Sequence, residues 1–325
     1  MQRLWTTLQK NRFVALGRVG MDLYADPIGG SVQTAQTFRA AIGGSAGNIA
    51  VALALQGAGA ALLTRVSADA VGGYCRAELA RYGVDCSLIT DSLGEARTSL
   101  AVTETRAAPQ VVLYRNQAAD FALDLADIAA ADFSQTGALI VTGTALARDP
   151  SRSAAWAALH AAQAMGVLVV LDVDHRAYSW ASETEARAIC AEFARACDVV
   201  IGNDDEFSLL AGGYDKGQSF ARSLSEKALF VVYKRGAKGS VTFTQDYSFA
   251  TGIYPVTALK PMGAGDGFMG GLMAGLAQGH TLEAAVARGA ATAAIVVAGF
   301  GCAPASPTTA DLNSFLATHR QTPCI

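Results

Sequence analysis

The sharpest chemistry in this sequence lies in Gly263-Ala264-Gly265-Asp266-Gly267-Phe268, which opens a helix-period run through Met269, Leu272, Met273 and Leu276. Glycines at such a place let backbone N–H groups converge on an anion, and the N-terminus of a helix adds partial positive charge. A pocket formed by Gly263, Ala264 and Gly265 can hold a transferring phosphoryl group and stabilise the charge on its oxygens. Asp266 at the rim would then orient an attacking hydroxyl and accept its proton. The same residues also suit a plain turn with an Asp N-cap. The chain contains no GxxxxGK[ST] and no complete GxGxxG after a strand, so neither a P-loop nor a dinucleotide site is indicated.

Four further segments offer weaker signals. In Gly43-Gly44-Ser45-Ala46-Gly47-Asn48, backbone exposed at Gly43 and Gly44, with the Asn48 amide, suits the hydroxyls of a polyol; a Ser45 cap with close helix packing explains the same letters. Asp22 follows the first apolar run, and one carboxylate can accept hydrogen bonds from two vicinal hydroxyls. Asn203-Asp204-Asp205-Glu206 has the spacing of a capping box, while Asn203 and Glu206 could instead order water around Mg2+. Lys234, Gly236 and Gly239 form a basic, glycine-rich turn that could carry a polyphosphate or simply be a solvated hairpin loop. An acidic substrate needs a cationic reader, and Arg115 and Arg176 are the candidates, because a guanidinium binds a carboxylate bidentately. Asp172 and Asp174 stand close enough in sequence to pair with Arg176 or to position it.

The elements that must hold these residues alternate along the chain. Apolar runs at 12–17, 60–66, 138–142, 167–173, 199–201 and 229–233 read as strands, several of them continuous Val/Ile/Leu stretches of the kind buried on both faces. Helical periodicity falls at 46–56, 70–82, 152–165, 183–196, 267–277 and 282–298. That alternation predicts an α/β fold, a doubly wound and mostly parallel sheet with helices on both faces, whose ligands sit beyond the carboxyl ends of the strands. Residues 22–41 and 97–115 break the rhythm and predict a small β-sheet lid over the site.

Composition bounds the rest. Half of the 325 residues are hydrophobic, 16% are charged and the net charge is −3 without a basic block, so neither nucleic acid nor a membrane surface is an expected partner. Six cysteines fit neither a zinc site nor a disulfide framework, and the N-terminus lacks the pattern of a secretory leader, so a cytoplasmic protein with free thiols is expected.

The order Asp22, Gly43-Gly44/Asn48, Asn203/Glu206, Lys234-Arg235-Gly236/Gly239 and Gly263–Asp266 resembles the ribokinase-like (PfkB) carbohydrate kinases, from about Phe13 to Leu316. The resemblance implies that Asp266 is the catalytic base and Gly263–Gly265 the anion hole. It implies that Asp22, Gly43, Gly44 and Asn48 bind substrate, and that Asn203 and Glu206 serve Mg2+ through water. It further implies that Lys234, Gly236 and Gly239 serve ATP, with Ala293 and Val297 of the late helix covering the adenine. The ribokinase-like fold so implied has a lid commonly used for homodimerisation. Segments such as GRVGMDLYADP, LDVDHRAYSW and LKPMGAGDGF are similar to members that phosphorylate a sugar acid, 2-deoxy-5-keto-gluconate; 2-keto-3-deoxygluconate, fructose or a nucleoside are the alternatives, and a non-catalytic sensor is a further one. Relatives have an acid before the glycine loop that helps to hold a monovalent cation; here Lys260-Pro261-Met262 stands instead, and the Lys260 ammonium would supply that charge.

Overall fold

The computed structural model describes residues 1–106, 109–260 and 262–324; Pro261 and two residues of the 97–115 segment lie outside them. The strands are β1 (Arg12–Leu16), β2 (Gly20–Asp26), β3 (Thr37–Gly43), β4 (Gly59–Ser67), β5 (Ile89–Ser92), β6 (Ser99–Thr103), β7 (Val111–Tyr114), β8 (Ala138–Thr142), β9 (Leu168–Asp172), β10 (Val199–Asn203), β11 (Phe230–Lys234), β12 (Ser240–Phe243) and β13 (Ser248–Thr251). The α-helices are α1 (Gln2–Leu8), α2 (Ser45–Leu55), α3 (Ala70–Arg81), α4 (Leu125–Ala130), α5 (Ser151–Ala164), α6 (Glu183–Ala196), α7 (Asp204–Ala211), α8 (Gly217–Leu224), α9 (Ala264–Ala277), α10 (Leu282–Ala298) and α11 (Thr309–Thr318).

Nine strands form one sheet in the order β13-β12-β11-β10-β9-β8-β1-β4-β5, parallel except at the β11-β12-β13 edge. Alternate residues feed two cores. Val14, Leu16, Leu139, Val141, Val169 and Leu171 pack with α5 to α8, while Phe13, Ala15, Ala138, Ile140, Leu168 and Val170 pack with α1 to α3, α9 and α10. Burial on both faces is why these strands read as unbroken apolar runs. The strand order reverses between β8 and β1, which opens a crevice past the carboxyl ends of both.

The two irregular segments build a separate sheet in the order β3-β2-β6-β7. It is tied to the carboxyl edge of the large sheet at two places, where β1 runs into β2 and where β3 runs into α2. Its two faces differ in chemistry. Strand alternation and register put Asp22, Tyr24, Ser99 and Ala101 on one face and Met21, Leu23, Phe38, Leu100, Val102, Val112 and Tyr114 on the other.

The structure departs from expectation in two ways. Helix α9 begins at Ala264 rather than at 267, so Asp266 lies inside its first turn and Gly263, in the left-handed region at φ 81°, takes the N-cap position without a side-chain cap. Helices α1, α4, α7, α8 and α11 are short and give too few turns of periodicity to stand out.

Candidate active site

Close packing of α2 on α9 sets the centre of the site. A Cβ placed on Gly270 would lie 2.4 Å from Ala52 Cβ, so only glycine lets the two helices approach this far. One turn up each helix, that approach lets Asn48 Nδ2 donate to Asp266 Oδ2 at 2.8 Å. Asn48 Oδ1 is left buried without a partner. It is an acceptor that a substrate hydroxyl can satisfy. Burial, and next the negative charge of Asp174, push the Asp266 carboxyl up to about 6, against the Asn48 hydrogen bond, Arg176 and Lys234. A buried carboxylate poised near neutrality is suited to general base work.

Lys234, at the end of β11, reaches across to the start of α9. Its Nζ lies 3.3 Å from where a Gly265 Cβ would stand and 5.7 Å from the centroid of the Phe268 ring. The ammonium therefore sits against the glycine loop at the start of α9. Gly236 and Gly239 shape the turn after it at φ 55° and 83°, and Arg235 N donates to Gly239 O at 2.7 Å.

The carboxyl end of β9 supplies an acidic wall. Asp174 has φ 35°, a conformation uncommon for a residue with a side chain. Its carboxylate accepts hydrogen bonds from Ser45 Oγ and from Thr144 Oγ1 at 3.2 Å, and pairs with Arg176 at 2.9 Å. These contacts tie α2, β8 and the β9 loop together and fix Arg176, which stays half exposed at the mouth of the site. Burial pushes Asp172 well above the usual carboxylate range; Lys234 opposes the shift, and Asp174, Glu206 and Asp266 add to it.

Asn203 and Glu206 form the capping box. Glu206 N donates to Asn203 Oδ1 at 2.8 Å, and Asn203 N donates to Glu206 Oε2 at 2.7 Å. Among the described residues no group of three or more His, Cys, Asp or Glu side chains is arranged to hold a metal ion directly. What fits is a hydrated ion: Glu206 is held beside Lys234 with one oxygen outside the capping box, and Mg2+ keeps most of its water shell.

At the other end of the crevice, Asp22 lies on the backbone of the β3–α2 junction. A Cβ on Gly43 would fall 2.0 Å from Asp22 Oδ1, and Gly44 has φ 87°. Tyr24 OH donates to Asp22 Oδ2 at 3.2 Å; burial raises the carboxyl and Arg18 opposes it. Arg18 itself donates only to Ser99 Oγ, at 3.0 Å, and among the described residues has no ion-pair partner. It escaped the sequence reading, although an arginine directly after an apolar parallel strand is a signal worth following.

Arg115 is placed otherwise than expected. It is buried, ion-paired to Asp120, donates to Ser179 Oγ at 2.9 Å and to Thr144 O at 3.2 Å, and stacks on Phe121. With these partners it braces the segment after β7 and is not the free cation sought for a substrate. Ala293 and Val297 lie on α10, both partly buried; Val297 O accepts from Leu259 N at 2.8 Å, so this helix anchors the segment that leads into the glycine loop.

A buried aspartate at a glycine-rich helix start, beyond the carboxyl ends of a doubly wound sheet, is suited to phosphoryl transfer. Residues 10–309 match the model of the pfkB family carbohydrate kinases, and the chain belongs to that family. It is 38% identical over 316 residues to 5-dehydro-2-deoxygluconokinase of Photobacterium profundum, covering 95% of each protein. Identity to the 5-dehydro-2-deoxygluconokinase of Geobacillus kaustophilus is 34%, covering 95% of this chain and 94% of that one. Among solved structures, a double mutant of fructokinase from Vibrio cholerae O395, with fructose, ADP and potassium ion bound, superposes with a TM-score of 0.84 at 28% identity, covering 94% of this chain and 98% of that one.

Proposed function

We propose that this sugar kinase transfers the γ-phosphoryl group of ATP to the terminal C6 hydroxyl of 2-deoxy-5-keto-gluconate, in myo-inositol catabolism. One observation carries the reading: Asp266, buried and held by Asn48, faces the start of α9 where Lys234 Nζ also arrives. In this reading Asp266 takes the proton of the attacking hydroxyl. Backbone N–H groups of Gly263 to Gly265 and the Lys234 ammonium hold the charge on the phosphoryl oxygens. Mg2+, held through water near Glu206 and Asn203, would neutralise the polyphosphate, and the Gly236–Gly239 turn with α10 would carry the rest of the nucleotide. Asp22 and the Gly43-Gly44 backbone bind the sugar hydroxyls. Arg176, half exposed and positioned by its ion pair with Asp174, and Arg18, beside Asp22 and without an ion-pair partner among the described residues, are the cations for the acid end of the substrate. The names of the two bacterial relatives support the acidic sugar; the fructokinase likeness supports a neutral hexose as the second reading.

The small sheet is the lid in this proposal, with Asp22 on its inner face. Its outer face, bearing Leu23, Phe38, Val102 and Val112, is apolar and partly exposed, and a second copy of the chain would cover it. Six free cysteines and dependence on ATP suit a cytoplasmic enzyme; among the described residues no helix is long and apolar enough to cross a membrane. Incubation with Mg-ATP and 2-deoxy-5-keto-gluconate should give a phosphate ester whose 31P signal couples to the C6 methylene protons. Coupling to any other carbon, or no ester at all, would refute the assignment.

A further inference from the structure

Lys260 is a buried ammonium that no carboxylate pairs among the described residues. Its Nζ donates to two backbone carbonyls, Met262 O at 2.8 Å and Val296 O at 3.1 Å. Both acceptors adjoin the glycine loop. Met262 precedes Gly263, the N-cap of α9, and Val296 lies in the last turn of α10, with its side chain 2.9 Å from where a Gly267 Cβ would stand. The backbone N–H of Lys260 donates to Val297 O at 3.2 Å, so the residue is fastened to the carbonyl end of α10 by main chain and side chain together. A helix C-terminus carries partial negative charge and favours a cation there.

Charge burial of this kind is costly unless it is compensated. Desolvation lowers the Lys260 pKa, and Cys302, Asp266 and Asp22 oppose it, which places the ammonium in the field of the catalytic base and of the sugar-side carboxylate. Convergent backbone carbonyls are also how proteins hold bare monovalent cations. The fructokinase from Vibrio cholerae O395 has potassium bound. In this chain the carbonyl pair at the foot of the loop is filled by the protein's own nitrogen, so these residues do not fit a soluble monovalent ion.

We propose that Lys260 is the resident cation of the anion loop, a positioning residue that clamps Met262 and Gly263 to α10 and supplies the positive charge of a bound monovalent ion, so that turnover needs no potassium. The inference rests on reading the start of α9 as the phosphoryl site, and not on the choice of sugar.

The test combines ion binding with turnover. Thallous ion, followed by 205Tl NMR, should find no site in the wild-type protein and one site in Lys260→Ala. Wild-type kcat should be the same in potassium chloride and in tetramethylammonium chloride. Lys260→Ala should lose about 10²-fold in kcat with little change in KM, and regain about tenfold on addition of potassium or ethylammonium. Lys260→Met, which fills the space without charge, should lose the same activity and show no rescue. Tenfold stimulation of the wild type by potassium, a thallous site in the wild type, or full activity of Lys260→Met would overturn the proposal. If the Ala variant does not fold, judged by thermal melting, Lys260→Met and the thallous titration of the wild type still decide. Should the wild type turn over no sugar, the phosphotransfer reading fails, while the thallous titration still tests the resident cation.

Discussion

β8 and β9 of the large sheet bury every residue, whereas β7 of the small sheet leaves Val111, Val112 and Tyr114 at 45%, 45% and 60% exposure. The two sheets meet at one crevice, yet they fix their polar side chains by different means. At the carboxyl end of the large sheet, Asp172 and Lys234 close β9 and β11, Asp174 lies in the loop after β9, and Glu206 and Asp266 stand in the first turns of α7 and α9; hydrogen bonds to Ser45, Thr144, Asn48 and Asn203 set three of the four carboxylates. On the small sheet, Asp22 stands on a layer covered on one face only. In the proposed reading, the end that would hold the phosphoryl group is set by hydrogen bonds within the large layer, while the end that would hold the sugar includes one residue, Asp22, carried by the small sheet.

Removing the base should separate the two regions most sharply. Asp266→Asn is expected to lower kcat about 10³-fold while leaving substrate KM nearly unchanged, measured by ADP release. The same variant should be more stable at pH 7.5, by about 1 kcal/mol in denaturant unfolding, because it removes a charge that burial disfavours while the Asn48 hydrogen bond can still form. Two arginines give the next contrast. Arg115→Met leaves Asp120 buried without its cation and should cost about 3 kcal/mol of stability. Arg176→Met removes a half-exposed guanidinium and leaves Asp174 its hydrogen bonds from Ser45 and Thr144, so it should cost less, about 1 kcal/mol, while raising KM for an acidic sugar by about 10- to 50-fold and leaving a neutral sugar little changed. A stability loss at Arg176 with no change in KM would reverse the assignment of the two residues.

Acidity probes the start of α9. The Asp266 carboxyl titrates at about 6, above its ordinary value of 3.8. If Asp266 is the base, it is protonated below that pH in the free enzyme, so kcat/KM should rise about tenfold per unit toward pH 6 and then level. Stability runs the other way. The neutral form contributes fully below about pH 4, and that contribution is lost as pH rises through 6. The smallest expected effect is on the small sheet. Val112→Lys should yield a monomer in sedimentation, change unfolding free energy by no more than about 0.5 kcal/mol and raise sugar KM only a few-fold. A Val112→Lys protein that stays dimeric would remove the second copy as the cover of that face.

Most of the large sheet was legible because strands covered on both faces must be apolar throughout, and their runs end where chemistry begins: Asp172, Asn203 and Lys234 each close a strand. Gly263–Asp266 was legible for the same reason, glycine and acid at a helix start being few enough to notice. Only part of the setting of Asp174 and Arg18 is local. Asp174 matters through partners 129 and 30 residues away in sequence, Ser45 and Thr144, and Arg18 through Ser99, 81 residues away. Arg115 misled because a guanidinium next to a strand announces its charge and hides its partner; Asp120 lies only five residues on, but just the fold turns it inward.

The most direct test compares kcat/KM for 2-deoxy-5-keto-gluconate, 2-keto-3-deoxygluconate, fructose and adenosine, with Mg-ATP saturating and Asp266→Asn as control. The account predicts a preference of at least about tenfold for the first compound, abolished in the variant. Equal or better turnover of fructose or adenosine, or undiminished activity in Asp266→Asn, would contradict it.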